Sequence, residues 1–408
     1  MRRVTRALLL LFAFAIPWEY SLDLGEPFGN VARIAGILAL LAAIPAVAYT
    51  GRVRSPGAFQ CLVLVFFLWF CMSYLWTIDP AATLVKLRGY FQEIIVVWLI
   101  WEFAGTPADL RNLVRATVAG SWVLAILTLA AFRSPESIAA GLVRIAAFGQ
   151  DPNDLARFLD IAFPLAALLA ETERHWMLRL LALGFLPVGL AAVLLTASRE
   201  GFVAALIALA GSAIVLCRGH AARIVAATFA LPIVFAGFWL AVPSGIAVRL
   251  ATIPAELSGG DLNQRINIWA AGWRAFARAP LAGSGAGSFV AASRLAQNDT
   301  AHNTALSLVV AGGLCALLIA MLLVALAVHA ALQTRGLLRI ALVTALFVWA
   351  VTTLVATVEE NRITWLLLAL IVLAGRLAGE NPGALAAQFS PAPRLSFTPV
   401  PPLAVQPD

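Results

Sequence analysis

Three side chains have the chemistry to act on a charged group: His302, Arg199 and Arg265. His302 precedes Asn303 at the start of a long apolar stretch. Imidazole changes charge near neutral pH, which suits proton transfer. Arg199 stands in Ser198-Arg199-Glu200-Gly201, a connection so short that the guanidinium is held where two apolar stretches end. Arg265 opens Arg265-Ile-Asn-Ile-Trp269. A guanidinium offers a permanently charged, forked set of donors matched to phosphate oxygens. The plain alternative for each arginine is a side chain reaching lipid headgroups. Gln150-Asp151-Pro152-Asn153-Asp154 forms another polar cluster, in which Asp151 or Asn153 caps a helix with Pro152 in its first turn, or meets a ligand. Glu200 and Asn303 join the candidates by adjacency.

What positions these groups is almost entirely apolar. The 408-residue chain is 62% hydrophobic and 12% charged, with a mean hydropathy of +0.92, well outside the range of soluble domains. Strict alternation of apolar and polar residues is absent, which argues against a membrane barrel. The expectation is an all-α polytopic membrane protein of about twelve spans at roughly 20 residues each. They are read at 7–24, 31–50, 59–76, 84–104, 113–132, 155–171, 178–196, 201–217, 222–242, 303–328, 338–357 and 363–378. Residues 1–378 form the membrane domain in this reading. Residues 379–408, with seven prolines from Pro382 to Pro407, read as a disordered tail.

Orientation follows from arginine. Arg2, Arg3, Arg6, Arg52, Arg54, Arg111, Arg174, Arg179, Arg218, Arg223, Arg335, Arg339 and Arg376 fall on one side, which the positive-inside rule assigns to the cytoplasm with both termini. The N-terminal apolar run lacks a small-residue cleavage site, since Trp18-Glu19-Tyr20 follows it, and reads as an uncleaved first helix. Of four histidines, His175, His220 and His329 go to the cytoplasmic side, leaving His302 outside. Arg144, Arg157, Arg199, Arg249, Arg265, Arg274, Arg278, Arg294 and Arg362 fall on or near the outer side, where fewer are expected. The four cysteines, Cys61, Cys71, Cys217 and Cys315, read as packing residues of apolar spans.

The largest outer segment is a loop of about 243–302. Within it, Ile266, Trp269, Trp273 and Phe276 share one arc of a helix, Arg274 and Arg278 lie off that arc, and Arg265 projects away from Arg274. The segment therefore reads as an interfacial amphipathic helix with Arg265 turned toward a cavity. Pro280, Gly283, Gly285 and Gly287 then read as a flexible loop; no strand precedes them, so the glycine spacing is a weak nucleotide signal.

Taken in order, Asp79-Pro80, Asp151-Pro152-Asn153, Ser198-Arg199, Arg265-Ile-Asn-Ile-Trp269, Pro280-Leu-Ala-Gly-Ser-Gly-Ala-Gly-Ser-Phe289, His302-Asn303 and Gly312-Gly313 resemble the O-antigen ligase and polymerase family of bacterial envelope enzymes. The resemblance covers roughly residues 60 to 375. It implies a GT-C-like glycosyltransferase of the bacterial inner membrane, metal-independent, inverting and without a cofactor, with a periplasmic active site. The donor would be an undecaprenyl-diphosphate-linked glycan and the acceptor lipid A–core oligosaccharide, as in lipopolysaccharide biosynthesis. By motif, Arg199 and Arg265 would bind the diphosphate and His302 would be catalytic, with Asp151, Asn153, Glu200 and Asn303 as further substrate-binding positions. Glu200 departs from the small residue common in the family; it either adds a carboxylate to the site or pairs with Arg199. Asp151, Glu200, Glu359 and Glu360 remain alternative bases.

A polymerase of O-antigen or exopolysaccharide and a protein O-oligosaccharyltransferase fit the same chemistry. A lipid-linked glycan transporter is the reading from another class. It predicts charge at mid-membrane depth, whereas charged residues here gather at the span ends and the centres read as nearly free of charge.

Overall fold

A computed structural model describes residues 2–22, 24–25, 29–134, 144–218, 244–255, 265–295 and 300–392. Among them the regular elements are all helices. In chain order they are α1 (Arg2–Ala15, continued by a 3₁₀ turn over Ile16–Ser21), α2 (Val31–Thr50), α3 (Ala58–Ser73), α4 (Pro80–Phe103), α5 (Pro107–Phe132), α6 (Pro152–Thr172), α7 (Trp176–Leu195), α8 (Arg199–Cys217), α9 (Ser244–Ala251), α10 (Arg265–Phe276), α11 (Phe289–Ser293), α12 (Thr304–Gln333), α13 (Gly336–Thr353), α14 (Arg362–Glu380) and α15 (Pro382–Gln388).

Eight of the described helices are long and apolar enough to cross a membrane: α1 with its 3₁₀ turn, α2, α5, α7, α8, α12, α13 and α14. The protein is a polytopic helical membrane protein. Three more of the twelve expected spans, 59–76, 84–104 and 155–171, fall on α3, α4 and α6, which miss on length or on charge. The span expected at 222–242 lies outside the described residues, as do 243, 256–264 and 296–299 of the 243–302 loop. The charge on α6 is tolerated because its neighbours, not lipid, surround it: Leu155 through Thr172 are all buried. It packs against α5, α7, α8 and α13, while α14 packs on α4, α5 and α12. Charge also enters the interior. Glu93 of α4 and Arg157 and Asp160 of α6 are buried within helices, correcting the expectation that span centres are nearly charge-free.

Helix starts at one end of the bundle coincide with the sequence motifs. Asp79 accepts from Ala82 N to cap α4, with Pro80 next. Asp151 accepts from Asn153 N and Asp154 N to cap α6, with Pro152 next. Ser198 caps α8 through Gly201 N, and Asn303 caps α12 through Leu306 N. A side-chain oxygen at each position satisfies amide groups that the helix leaves open. The motifs therefore mark where the chain re-enters the bundle.

The glycine-rich segment is not a flexible loop but a splice into a broken helix. α12 departs from helical geometry at Gly313 (φ 68°, ψ −167°). The freed groups find partners in residues 280–285: Ser284 N donates to Val310 O (2.8 Å), Gly285 N to Ala311 O (2.9 Å), and Leu314 N to Pro280 O (2.9 Å). Trp69 Nε1 donates to Gly312 O at 2.9 Å. Backbone at membrane depth must be satisfied by protein in this way. Glycine is required for the close approach: a Cβ on Gly285 would stand 2.1 Å from Thr77 Oγ1, and one on Gly313 2.1 Å from Leu281 O.

The expected tail boundary also moves. α14 runs to Glu380, and Asn381 then caps α15. Leu385 and Phe389 are buried, four residues apart on one helix face. Phe389 lies under the Arg111 guanidinium at 5.2 Å, and Ala392 N reaches Glu171 O at 2.9 Å. Proline at a first helical turn starts a helix rather than prevents one. Residues 393–408 lie outside the described residues.

Candidate active site at the helix starts

The turn between α7 and α8 is tied down on several sides. Asn153 Oδ1 accepts from Ser198 Oγ and from Arg144 Nη2, both at 2.8 Å. Arg249 Nε donates to Ala197 O at 3.1 Å, and Ala197 holds a left-handed φ of 48°. Gly201 lets α8 press on α6, since a Cβ there would lie 2.3 Å from that of Ala156. Arg199 is the first residue of a helix whose entry is thus fixed. Asn153 holds this turn through its carbonyl oxygen, and Asp151 holds the start of α6.

Glu200, next in the chain, pairs with Arg265 through the contact Arg265 Nη2–Glu200 Oε2 at 2.9 Å. Both side chains are mostly enclosed, at 15% and 11% exposure. The ion pair brings α10 to the start of α8 and so places Arg265 beside the residue following Arg199.

α10 is amphipathic, but its buried arc is not the expected one. Ile268, Ala271, Gly272 and Ala275 face inward, packed with Phe289, Leu306 and Val309, while Ile266 and Trp273 are exposed. Small residues win the inner face because α12 comes close: a Cβ on Gly272 would lie 2.8 Å from Leu306 Cδ2. Arg274 and Arg278 are exposed, on the outward side where the helical arc put them.

His302 follows directly from this packing. Trp269, one turn after Arg265, donates its indole N–H to Ala301 O at 3.1 Å. His302 then takes a left-handed backbone, φ 45°, a conformation uncommon outside glycine although histidine is among the types enriched there. From the other side Asn303 Nδ2 donates to Leu354 O (3.0 Å) and Thr304 Oγ1 to Ala356 O (2.7 Å). His302 is therefore gripped between α10 and the 354–361 loop. Local strain held by its surroundings is typical of functional positions.

That loop adds a group of charges whose connections the sequence did not expose. Ser307 Oγ donates to Glu359 Oε1 at 2.6 Å. Lys86, the only lysine in the chain, reaches Glu360 at 2.5 Å and Glu359 at 3.7 Å. Burial pushes the Glu359 carboxyl up from its ordinary range, against the opposing charge of Lys86. Arg362 pairs with Glu19 and also binds Gln92. These contacts join α1, α4, α12 and α14, so spacing along the chain carries no trace of them. The uniqueness of Lys86 was the one available signal.

Among the described residues, no group of three or more His, Cys, Asp or Glu is placed to hold a metal ion. A cavity of about 750 Å³ lies at the opposite end of the bundle, lined by Glu171, Arg218, Gln333, Arg335, Leu385 and Phe389 among others. It touches neither Arg199, Arg265 and His302 nor the residues that hold them.

A family model described as O-antigen ligase matches residues 183–321. No curated protein matches the chain. The matched segment runs from within α7 to within α12 and includes the Ser198–Gly201 turn, all of α10, the glycine splice and the His302 turn. The segment similar to that family, residues 183–321, contains Arg199, Glu200, Arg265, His302 and Asn303.

Proposed function

We propose that the protein is a glycosyltransferase that moves a glycan from undecaprenyl diphosphate to a saccharide acceptor, lipid A–core oligosaccharide in the ligase reading, at the periplasmic face of the inner membrane. The observation that carries this is the chain of contacts Glu200–Arg265 and Trp269–Ala301. It links Arg265 to Glu200, the chain neighbour of Arg199, and the Arg265 helix to Ala301, the chain neighbour of His302, which supports one site at this end of the bundle.

In this mechanism Arg199 and Arg265 bind the diphosphate and stabilise the charge that grows on it as the anomeric C–O bond breaks, an electrostatic contribution that is commonly the largest in catalysis. The acceptor hydroxyl attacks the anomeric carbon from the opposite face. Its proton passes to the His302 imidazole, and the configuration inverts. Undecaprenyl diphosphate leaves with the electron pair of the broken bond. Glu200 holds Arg265 until a phosphoryl oxygen takes its place. No metal or cofactor enters this scheme.

The membrane side of the site is part of the proposal. Arg6, Arg54, Arg111, Arg174, Arg218, Arg335 and Arg376 cluster at the end of the bundle opposite the helix starts that bear Arg199 and His302, which supports a cytoplasmic assignment for that end.

Replacing Arg199 or Arg265 with Ala, in protein that still inserts, is expected to abolish transfer and weaken binding of the lipid diphosphate. Lys should restore only part, because an ammonium cannot reproduce the guanidinium fork. Full transfer by both Ala variants would overturn the assignment.

A further inference from the structure

Arg157 of α6 is among the largest fully enclosed side chains, at 1% exposure. It sits next to Ala156, where α6 and α8 touch through Gly201, and so comes near Glu200, with which it interacts electrostatically. Its Nη2 is held by Asp154, while Nε and Nη1 have no hydrogen-bond partner. Deeper in α6, Asp160 feels the charge of Arg157, yet its two oxygens also lack hydrogen-bond partners. A buried guanidinium with open donors is costly, and such groups point to an acceptor that arrives from elsewhere.

The arrangement parallels the neighbouring pair. Arg265 is held by Glu200 of the first turn of α8, and Arg157 by Asp154 of the first turn of α6. In the Arg157 pair the carboxylate is the exposed partner, at 33% against 1%. It is therefore the more accessible member of the pair, with the guanidinium enclosed behind it. A carboxylate and a phosphoryl group offer an arginine the same forked pair of oxygens.

We propose that Arg157 is a third phosphate-binding arginine, which exchanges the Asp154 carboxylate for a phosphoryl oxygen of the polyprenyl diphosphate. This rests on the donor chemistry proposed above. Arg157 lies outside the matched segment 183–321, and its side chain would extend the anion site from α8 and α10 onto α6.

The test is binding of farnesyl diphosphate to the purified full-length protein in detergent, with farnesol as the uncharged control. R157Q combined with D160N removes the cation together with the deeper acid it faces, so the interior stays balanced. Loss of one charge-assisted contact predicts roughly tenfold to hundredfold weaker binding for that double variant. D154N, which removes the competing carboxylate, should bind several-fold more tightly. A double variant that binds like the unmodified protein, or a D154N variant with unchanged or weaker binding, overturns the role of Arg157 while leaving Arg199 and Arg265 in place. If the unmodified protein distinguishes farnesyl diphosphate from farnesol in no way, the donor reading fails and this inference with it.

Discussion

The indole N–H of Trp269 rests on the carbonyl of Ala301 at 3.1 Å, so the helix that carries Arg265 is bonded to the residue just before His302. Diphosphate binding and proton transfer would thus share one joint. Transfer needs the reacting groups aligned to within fractions of an ångström, and small misplacements cost large factors in rate.

Trp269→Phe keeps an aromatic ring in the packed cluster and deletes only the donor. A neutral hydrogen bond is worth about 0.5–1.5 kcal/mol net, so stability should change little. Turnover should fall more than donor affinity does, by roughly an order of magnitude. Measuring kcat beside donor affinity checks this; an equal loss in both would mean that Trp269 supports the fold of α10 rather than its alignment with His302.

The glycine splice makes a contrasting prediction about assembly. Gly285→Ala and Gly313→Ala each force a methyl group to 2.1 Å from a neighbouring atom at a left-handed φ. Both should reduce the yield of monodisperse protein sharply. Gly51→Ala, also at positive φ but with nothing within 4 Å, should cost only the backbone strain. Size-exclusion profiles and melting temperatures in detergent separate the two outcomes. Equal melting temperatures for all three variants would mean that the splice bends easily.

How much of this is legible in the sequence depends on the range of each interaction. Apolar runs set the helices, and local cap chemistry sets their starts, so Asp79, Asp151, Ser198 and Asn303 are visible as breaks in pattern. The polarity of α4 and α6 is harder to interpret, because hydropathy does not tell a helix sheathed in protein from one facing lipid. Gly312-Gly313 and the glycines at 283, 285 and 287 stand out separately, but nothing local says that one set fills the break in the other. The helical arc of α10 ranks large aromatic residues above Ala271, Gly272 and Ala275, whereas close approach to α12 selects small ones. Arg157 and Lys86 owe their environments to several helices at once, and no spacing rule reaches that far.

Topology can be checked without any assay of activity. In a cysteine-free background, Arg274→Cys on the exposed side of α10 and Arg174→Cys between α6 and α7 should label oppositely with a membrane-impermeant reagent in intact spheroplasts. The first should react from outside and the second only after lysis. Both residues are exposed, so a failure to react reports sidedness rather than burial. Reaction of Arg174→Cys alone from outside would invert the protein and put His302 in the cytoplasm.

The base is the remaining question, and carboxylates compete for it with the imidazole. Glu200 is engaged with Arg265, and Glu359 with Ser307 and Lys86. Asp151 is committed to two backbone amides of α6. The residues on either side of His302 are tied down, Ala301 by Trp269 and Asn303 by Leu354. General-base assistance contributes about 10²- to 10⁴-fold, so His302→Ala should lose transfer by that factor while binding of the lipid diphosphate persists. Glu200→Gln, Asp151→Asn and Glu359→Gln are the comparisons. If any of them stops turnover while His302→Ala retains most of it, the base is a carboxylate. The pH profile tests the same assignment independently. A neutral imidazole accepts the proton and its protonated form cannot, so the assignment predicts a decline of transfer on the acid limb of the profile. That limb should vanish in the residual activity of His302→Ala, and a profile of unchanged shape in the variant would assign the ionisation to another group.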